Sequence, residues 1–109
     1  MQVSHYIPLG TSEPQDFLLR NNGQAIDGTG FTIGIEVSKL ADGVITPQSA
    51  PTVAWLSQSA GTVRVTGLES FALGNYLVRF KLTDGGGKVG YVPNGKTADL
   101  WVVVPIPNP

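Results

Sequence analysis

An all-β fold, an antiparallel sandwich in one domain, is what this sequence predicts. Two observations carry the prediction. The first is alternation. From Leu68 to Val89 a turn leads into a long run in which Tyr76, Val78, Phe80 and Leu82 take one face and Leu77, Arg79, Lys81 and Thr83 the other. That is the period-2 pattern of a half-buried strand. The second is punctuation. Gly, Pro, Asn and Asp break the chain roughly every 8 to 12 residues, and no window holds the i, i+3, i+4 apolar spacing of a helix. The result is about seven or eight short strands, as in a small sandwich.

The elements follow in order. Residues 1–15 form an N-terminal segment in which Val3-Ser4-His5-Tyr6-Ile7 reads as a short strand. Pro8, Gly10 and Pro14 keep it off the centre of a sheet, so it is either a first edge strand or an arm that docks on a neighbouring subunit. Residues 16–104 form the sandwich. Asp16-Phe17-Leu18-Leu19-Arg20 is a strand, and Asn21-Asn22-Gly23 is a tight turn. Phe31, Ile33, Ile35 and Val37 alternate inward, with Thr32, Gly34, Glu36 and Ser38 outward. Lys39 to Pro51 is a long connection holding Asp42-Gly43 and a short strand at Val44-Ile45-Thr46. Val53 to Ser57 is a strand with Trp55 inward, and Thr62 to Thr66 is another. Gly85-Gly86-Gly87 turns the long strand back, and the return strand ends at Tyr91-Val92. Thr97 to Val104 is apolar on both faces, the mark of a strand covered on both sides by its own domain or by a partner. Residues 105–109, Pro105 to Pro109, form an extended Pro-rich tail.

Composition bounds the function. The 109 residues make one domain, 41% hydrophobic and 14% charged, with a net charge of −1. A surface so poor in ions is easily buried against a partner, because few charges must be desolvated. Seven Lys and Arg scattered singly do not form the basic face that nucleic acid requires. There are no cysteines, which removes disulfides, thiolate metal sites and a cysteine nucleophile. Met1 to Tyr6 lacks the pattern of a signal peptide, and no apolar run approaches the ~20 residues of a membrane helix, so a soluble chain is expected.

Catalytic chemistry finds little support. His5 is the one histidine and lies near a terminus, a poor place for a preorganised base. Asp27, Asp42, Asp84 and Asp99 sit at or near turns, where Asp is ordinary turn chemistry, and no Asp-x-Asp-x-Asp calcium run exists. The triple glycine lacks the Lys-Ser/Thr and helix of a phosphate loop. No catalytic residue, metal site or cofactor is expected.

Two stretches carry a resemblance. In Leu68 to Val78, Gly74-Asn75-Tyr76 with its alternating apolars resembles the corner of immunoglobulin-like sandwiches, where a tyrosine bonds back to the upstream backbone. Tyr76 takes that tyrosine's place, and Val78 stands where antibody domains have a cysteine. Asp16 to Ile33 resembles the opening of small immunoglobulin-like modules in tailed-phage particles, among them the N-terminal domain of baseplate upper proteins. Gly74-Asn75-Tyr76, Asp84 to Lys88 and Tyr91-Val92-Pro93 continue the same order. The commoner pattern has Leu where this chain has Gly28. The resemblance implies a single immunoglobulin-like antiparallel β-sandwich and a non-enzymatic virion protein of head decoration, tail or baseplate. Such a protein is assembled in the host cytoplasm and works by contact with other virion proteins or with copies of itself. Tyr76, Trp55 and Trp101 are its expected structural anchors, and Val3, Tyr6, Ile7, Ile45, Tyr91 and Ile106 its candidate partner contacts. The alternatives are a carbohydrate-binding sandwich module, which would take host-surface glycans on clustered exposed aromatics, and an accessory subdomain of a larger enzyme.

Overall fold

The computed structural model describes residues 3–21, 24–92 and 99–105. These residues contain no helix. Their strands are β1 (Val3–Pro8), β2 (Gln15–Leu18), β3 (Arg20–Asn21), β4 (Gln24–Ala25), β5 (Thr32–Ala41), β6 (Val44–Pro47), β7 (Thr52–Ser57), β8 (Thr62–Thr66), β9 (Gly74–Thr83), β10 (Val89–Val92) and β11 (Asp99–Val104). The larger sheet has the order β1-β11-β9-β5-β6, with β10 also on β9. The smaller has the order β2-β8-β7, and β3 with β4 is a separate ribbon. Every pairing is antiparallel except β1 with β11, which is parallel.

The two sheets face each other across one apolar core. β9 contributes Tyr76, Val78, Phe80 and Leu82, all buried, as the alternation predicts. β8 contributes Val63 and Val65, β5 contributes Ile35 and Val37, and β11 contributes Trp101 and Val103. Fully burying side chains of this kind stabilises by about 1.5–3 kcal/mol each. The centre is aromatic. Phe17 stacks on Trp101 with centroids 4.7 Å apart, and His5 meets the Phe17 ring edge-on at 4.8 Å.

Three expectations change. The strand expected from Asp16 to Arg20 is broken at Leu19, whose N–H donates to the Gly61 carbonyl and whose side chain is buried. Only Gln15–Leu18 stays on β8, while Arg20–Asn21 pairs with Gln24–Ala25; of the expected Asn21-Asn22-Gly23 turn, Asn21 belongs to β3, and Asn22 and Gly23 lie outside the described residues. The connection expected from Lys39 to Pro51 is largely a hairpin. Asp42 and Gly43 have φ of 52° and 76°, so the chain reverses in two residues and β5 extends to Ala41. Two left-handed residues give the turn twist that matches flanking strands, which is why an Asp-Gly closes it. Finally, within its own domain β11 is fully buried on one face only: Trp101 and Val103 are buried, and Leu100, Val102 and Val104 are half-buried on the outside, the face on which the expected cover would come from a partner.

The N-terminal strand is an edge strand in parallel register with β11. Ile7, read from sequence as a partner contact, has 0% exposure and belongs to the core. Trp55 packs against the core from β7, and its indole N–H donates to the Phe31 carbonyl at 3.0 Å.

Candidate interaction surface

Each sheet has an outer face, and the two differ in chemistry. On the smaller sheet, Asp16, Arg64 and Ala54 lie in one cross-strand row. Arg64 grips the Asp16 carboxylate with two bonds, Nε to Oδ1 at 2.8 Å and a second guanidinium N–H to Oδ2 at 3.1 Å. That fork holds the Asp16 carboxyl below its usual range and raises the arginine. Both groups are exposed, so the pair describes a solvated face.

The outer face of the larger sheet is divided. Towards β10, Glu36 lies opposite Arg79, with Nε 2.9 Å from Oε1. The Arg79 guanidinium also lies 3.8 Å over the Tyr91 ring, and the Tyr91 hydroxyl is 3.5 Å from the other Glu36 oxygen. Lys81 sits between Gly34 and Tyr91. This half is ionic.

Among the described residues, the strand positions of the other half carry no ionic side chain. Register aligns Tyr6, Val102, Asn75, Leu40 and Ile45 in one row across β1, β11, β9, β5 and β6. A second row joins Leu100, Leu77, Ser38 and Pro47. Strand pleating puts alternate residues on opposite faces, and Ile7, Trp101, Tyr76 and Val37 beside these positions are all buried, so both rows face away from the core. Tyr6 is 60% and Ile45 58% exposed. Among the described residues no element covers this half.

The residues singled out from sequence divide accordingly. Tyr6 and Ile45 come together on the uncharged half, at opposite ends of the first row. Tyr91 lies on the ionic half beneath Arg79. The Val3 side chain and Ile106 lie outside the described residues. Leu40, Asn75, Leu77, Leu100 and Val102 complete the surface, and sequence reasoning missed them as contacts. The usable signal was the apolar outer face of β11.

The anchors have definite partners. The Tyr76 hydroxyl donates to the Ala72 carbonyl at 2.8 Å, and burial pushes its phenol pKa up. Its ring packs on Phe71 at 5.0 Å. Gly28 is buried beneath Trp55, and a Cβ added there would overlap the indole. The turn carboxylates serve the backbone. Asp27 accepts from the Thr29 hydroxyl at 2.6 Å and from the Thr29 N–H at 2.9 Å, which hold its carboxyl low. Asp84 accepts from the Gly86 and Lys88 N–H groups across the glycine turn. No three His, Asp or Glu among the described residues converge as metal ligands. A hollow of about 340 Å³ beside β10 is lined by residues including Asp27, Phe31, Leu82 and Tyr91. Comparison with protein-family models, curated proteins and solved structures finds no match to the chain.

Proposed function

We propose that this chain is an immunoglobulin-like sandwich module of a tailed-phage particle, acting by protein–protein contact and not by catalysis. The observation that carries the contact reading is the uncharged half of the outer face, where a largely apolar row centred on Asn75 crosses five strands. A patch of that breadth is of the size that often serves as an interaction site. The immunoglobulin-like assignment draws on the pairing of a β2-β8-β7 sheet with a β9-centred sheet, and on the bond from Tyr76 to the backbone four residues upstream. The phage assignment draws on the ordered sequence pattern from Asp16 to Val104. Its departure at Gly28 has a local reason, since the Trp55 ring occupies the space a leucine would need.

The test is the composition of purified particles. The chain is expected in many ordered copies, and its absence from them overturns the virion assignment. The carbohydrate-binding alternative draws on the hollow with Phe31 and Tyr91. Saccharide binding abolished by Tyr91→Ala would favour it. Against it, Tyr6 and Tyr91 stand on opposite halves of the face, and Trp55 and Trp101 pack into the domain.

A further inference from the structure

We infer that the uncharged half of the larger sheet's outer face is an isologous contact between two copies of this chain. The inference rests on the contact reading above and names the partner.

Three observations select a second copy. First, the β1 and β6 edges that flank this half do not favour strand addition. The Leu9 N–H donates to Val104, so His5 and Ile7 turn their backbone groups to β11, and Tyr6 and Pro8 turn theirs outward. At the opposite edge, the two-residue Asp42-Gly43 turn makes Ala41 and Val44 a hydrogen-bonded pair. Val44 and Thr46 therefore bond to β5, while Ile45 and Pro47 face out. Proline has no N–H, so Pro8 and Pro47 each interrupt the outward donors of their edge. The Gln48 side-chain amide further occupies the outward Pro47 carbonyl at 3.3 Å. On this half of the sheet, association is left to the face.

Second, the face matches itself. Asn75 is the middle residue of the row Tyr6, Val102, Asn75, Leu40, Ile45. An amide offers both donor and acceptor, so on a two-fold axis it satisfies its own copy reciprocally. Around that axis apolar side chains meet apolar ones. With the axis lying along the row, across the strands, the Glu36, Arg79 and Lys81 half of each copy lies beyond the contact, in water.

Third, the area sets the strength. Five strands at ~4.8 Å spacing, over the ~17 Å from Leu100 to Val104, give about 400 Å² per copy and about 800 Å² in all. That is half a standard interface, so a reversible dimer weaker than about 1 μM is expected. Weak symmetric contacts suit an array, where repeated copies multiply them.

The experiment is sedimentation equilibrium of the full chain from about 10 μM to about 1 mM. The mass is expected to rise with concentration from 11.5 kDa towards twice that value. Asn75→Asp is expected to weaken association at least about tenfold at pH 7, by placing like charges on the axis, and to recover it at acid pH. Tyr6→Lys with Ile45→Lys is expected to weaken it similarly, with an unchanged far-ultraviolet spectrum. Leu56→Lys, 49% exposed on β7 of the smaller sheet, is expected to change nothing. A chain monomeric at about 1 mM overturns the inference. So does a dimer that tolerates Asn75→Asp or is broken by Leu56→Lys. These outcomes are independent of particle composition: a monomer found in particles refutes the dimer alone, and a dimer absent from particles refutes the virion assignment alone.

Discussion

Replacing Tyr76 with Phe isolates one hydrogen bond. The ring is buried in the native fold and keeps its contact with Phe71, so the substitution leaves the packing and removes only the hydroxyl. What is lost is the 2.8 Å bond to the Ala72 carbonyl. A net hydrogen bond of this kind contributes about 1 ± 0.5 kcal/mol. Ala72 is exposed, so water can reach the orphaned carbonyl, which places the cost near about 1 kcal/mol and not at the full penalty of a buried acceptor. In a domain of this size that is a fall in melting temperature of about 4 °C. The assay is urea denaturation, where the midpoint should fall with the slope unchanged. A pH series adds a second readout. Burial raises the phenol pKa in the folded state, so the folded chain holds this proton more tightly than the unfolded one. The stability it contributes is present below about pH 10 and is lost as pH rises through the raised value. Tyr76→Phe should remove that alkaline slope. A variant whose urea melt superimposes on the parent's would refute the reasoning, because the corner bond would then contribute nothing.

Gly28→Ala should destabilise by about 1–3 kcal/mol through overlap with Trp55, and by less in a Trp55→Leu background, a coupling readable from a double-mutant cycle of urea melts. Equal cost in both backgrounds would sink the overlap argument. Gly43→Ala should cost about 1 kcal/mol, because φ at that position is 76°, and thermal melts check it. Asp16 has a depressed carboxyl in the folded state, so its contribution is present above about pH 4 and fades as pH falls through the lowered value. Asp16→Asn should therefore narrow the gap between melts at neutral and acid pH, and an unaltered acid limb would count against the Arg64 bond as its cause.

What was legible in the sequence was local. β9 could be read because ten residues alternate without interruption, and their buried face is the one that the pattern names. The glycine turn could be read because Asp84 has backbone N–H groups to accept within four residues. What could not be read is pairing. Nothing in Val3 to Pro8 says that the strand lies parallel to β11, a partner near the other end of the sequence, so Ile7 looked free when it is buried. The uncharged row was hidden for the same reason. Tyr6, Leu40, Ile45, Asn75 and Val102 come from five strands and are scattered in the chain, and only cross-strand register brings them together. Leu77 was placed correctly on the outer face of β9, but its kinship with Leu100 is a fact of pairing.

The placement of prolines and apolar side chains on the larger sheet has a single physical logic. An exposed sheet edge binds through backbone groups that every chain possesses, so edge pairing is indiscriminate and open-ended. A face binds through side chains, whose identity and register the sequence controls. Pro8 and Pro47 interrupt the indiscriminate route at the β1 and β6 edges, while Tyr6 and Ile45, two residues before them, extend the face outward. The same two short strands therefore restrict one mode of association and contribute to the other. Substituting either proline should separate the two functions. Pro47→Thr restores an outward N–H beside that of Ile45 and leaves the first row unchanged, while altering the end of the second. It should weaken the face-to-face dimer less than Tyr6→Lys with Ile45→Lys does and add concentration-dependent larger species, read as a second boundary in sedimentation velocity. A Pro47→Thr chain that forms no species beyond those of the parent would show that the edge was closed by something other than its missing donor.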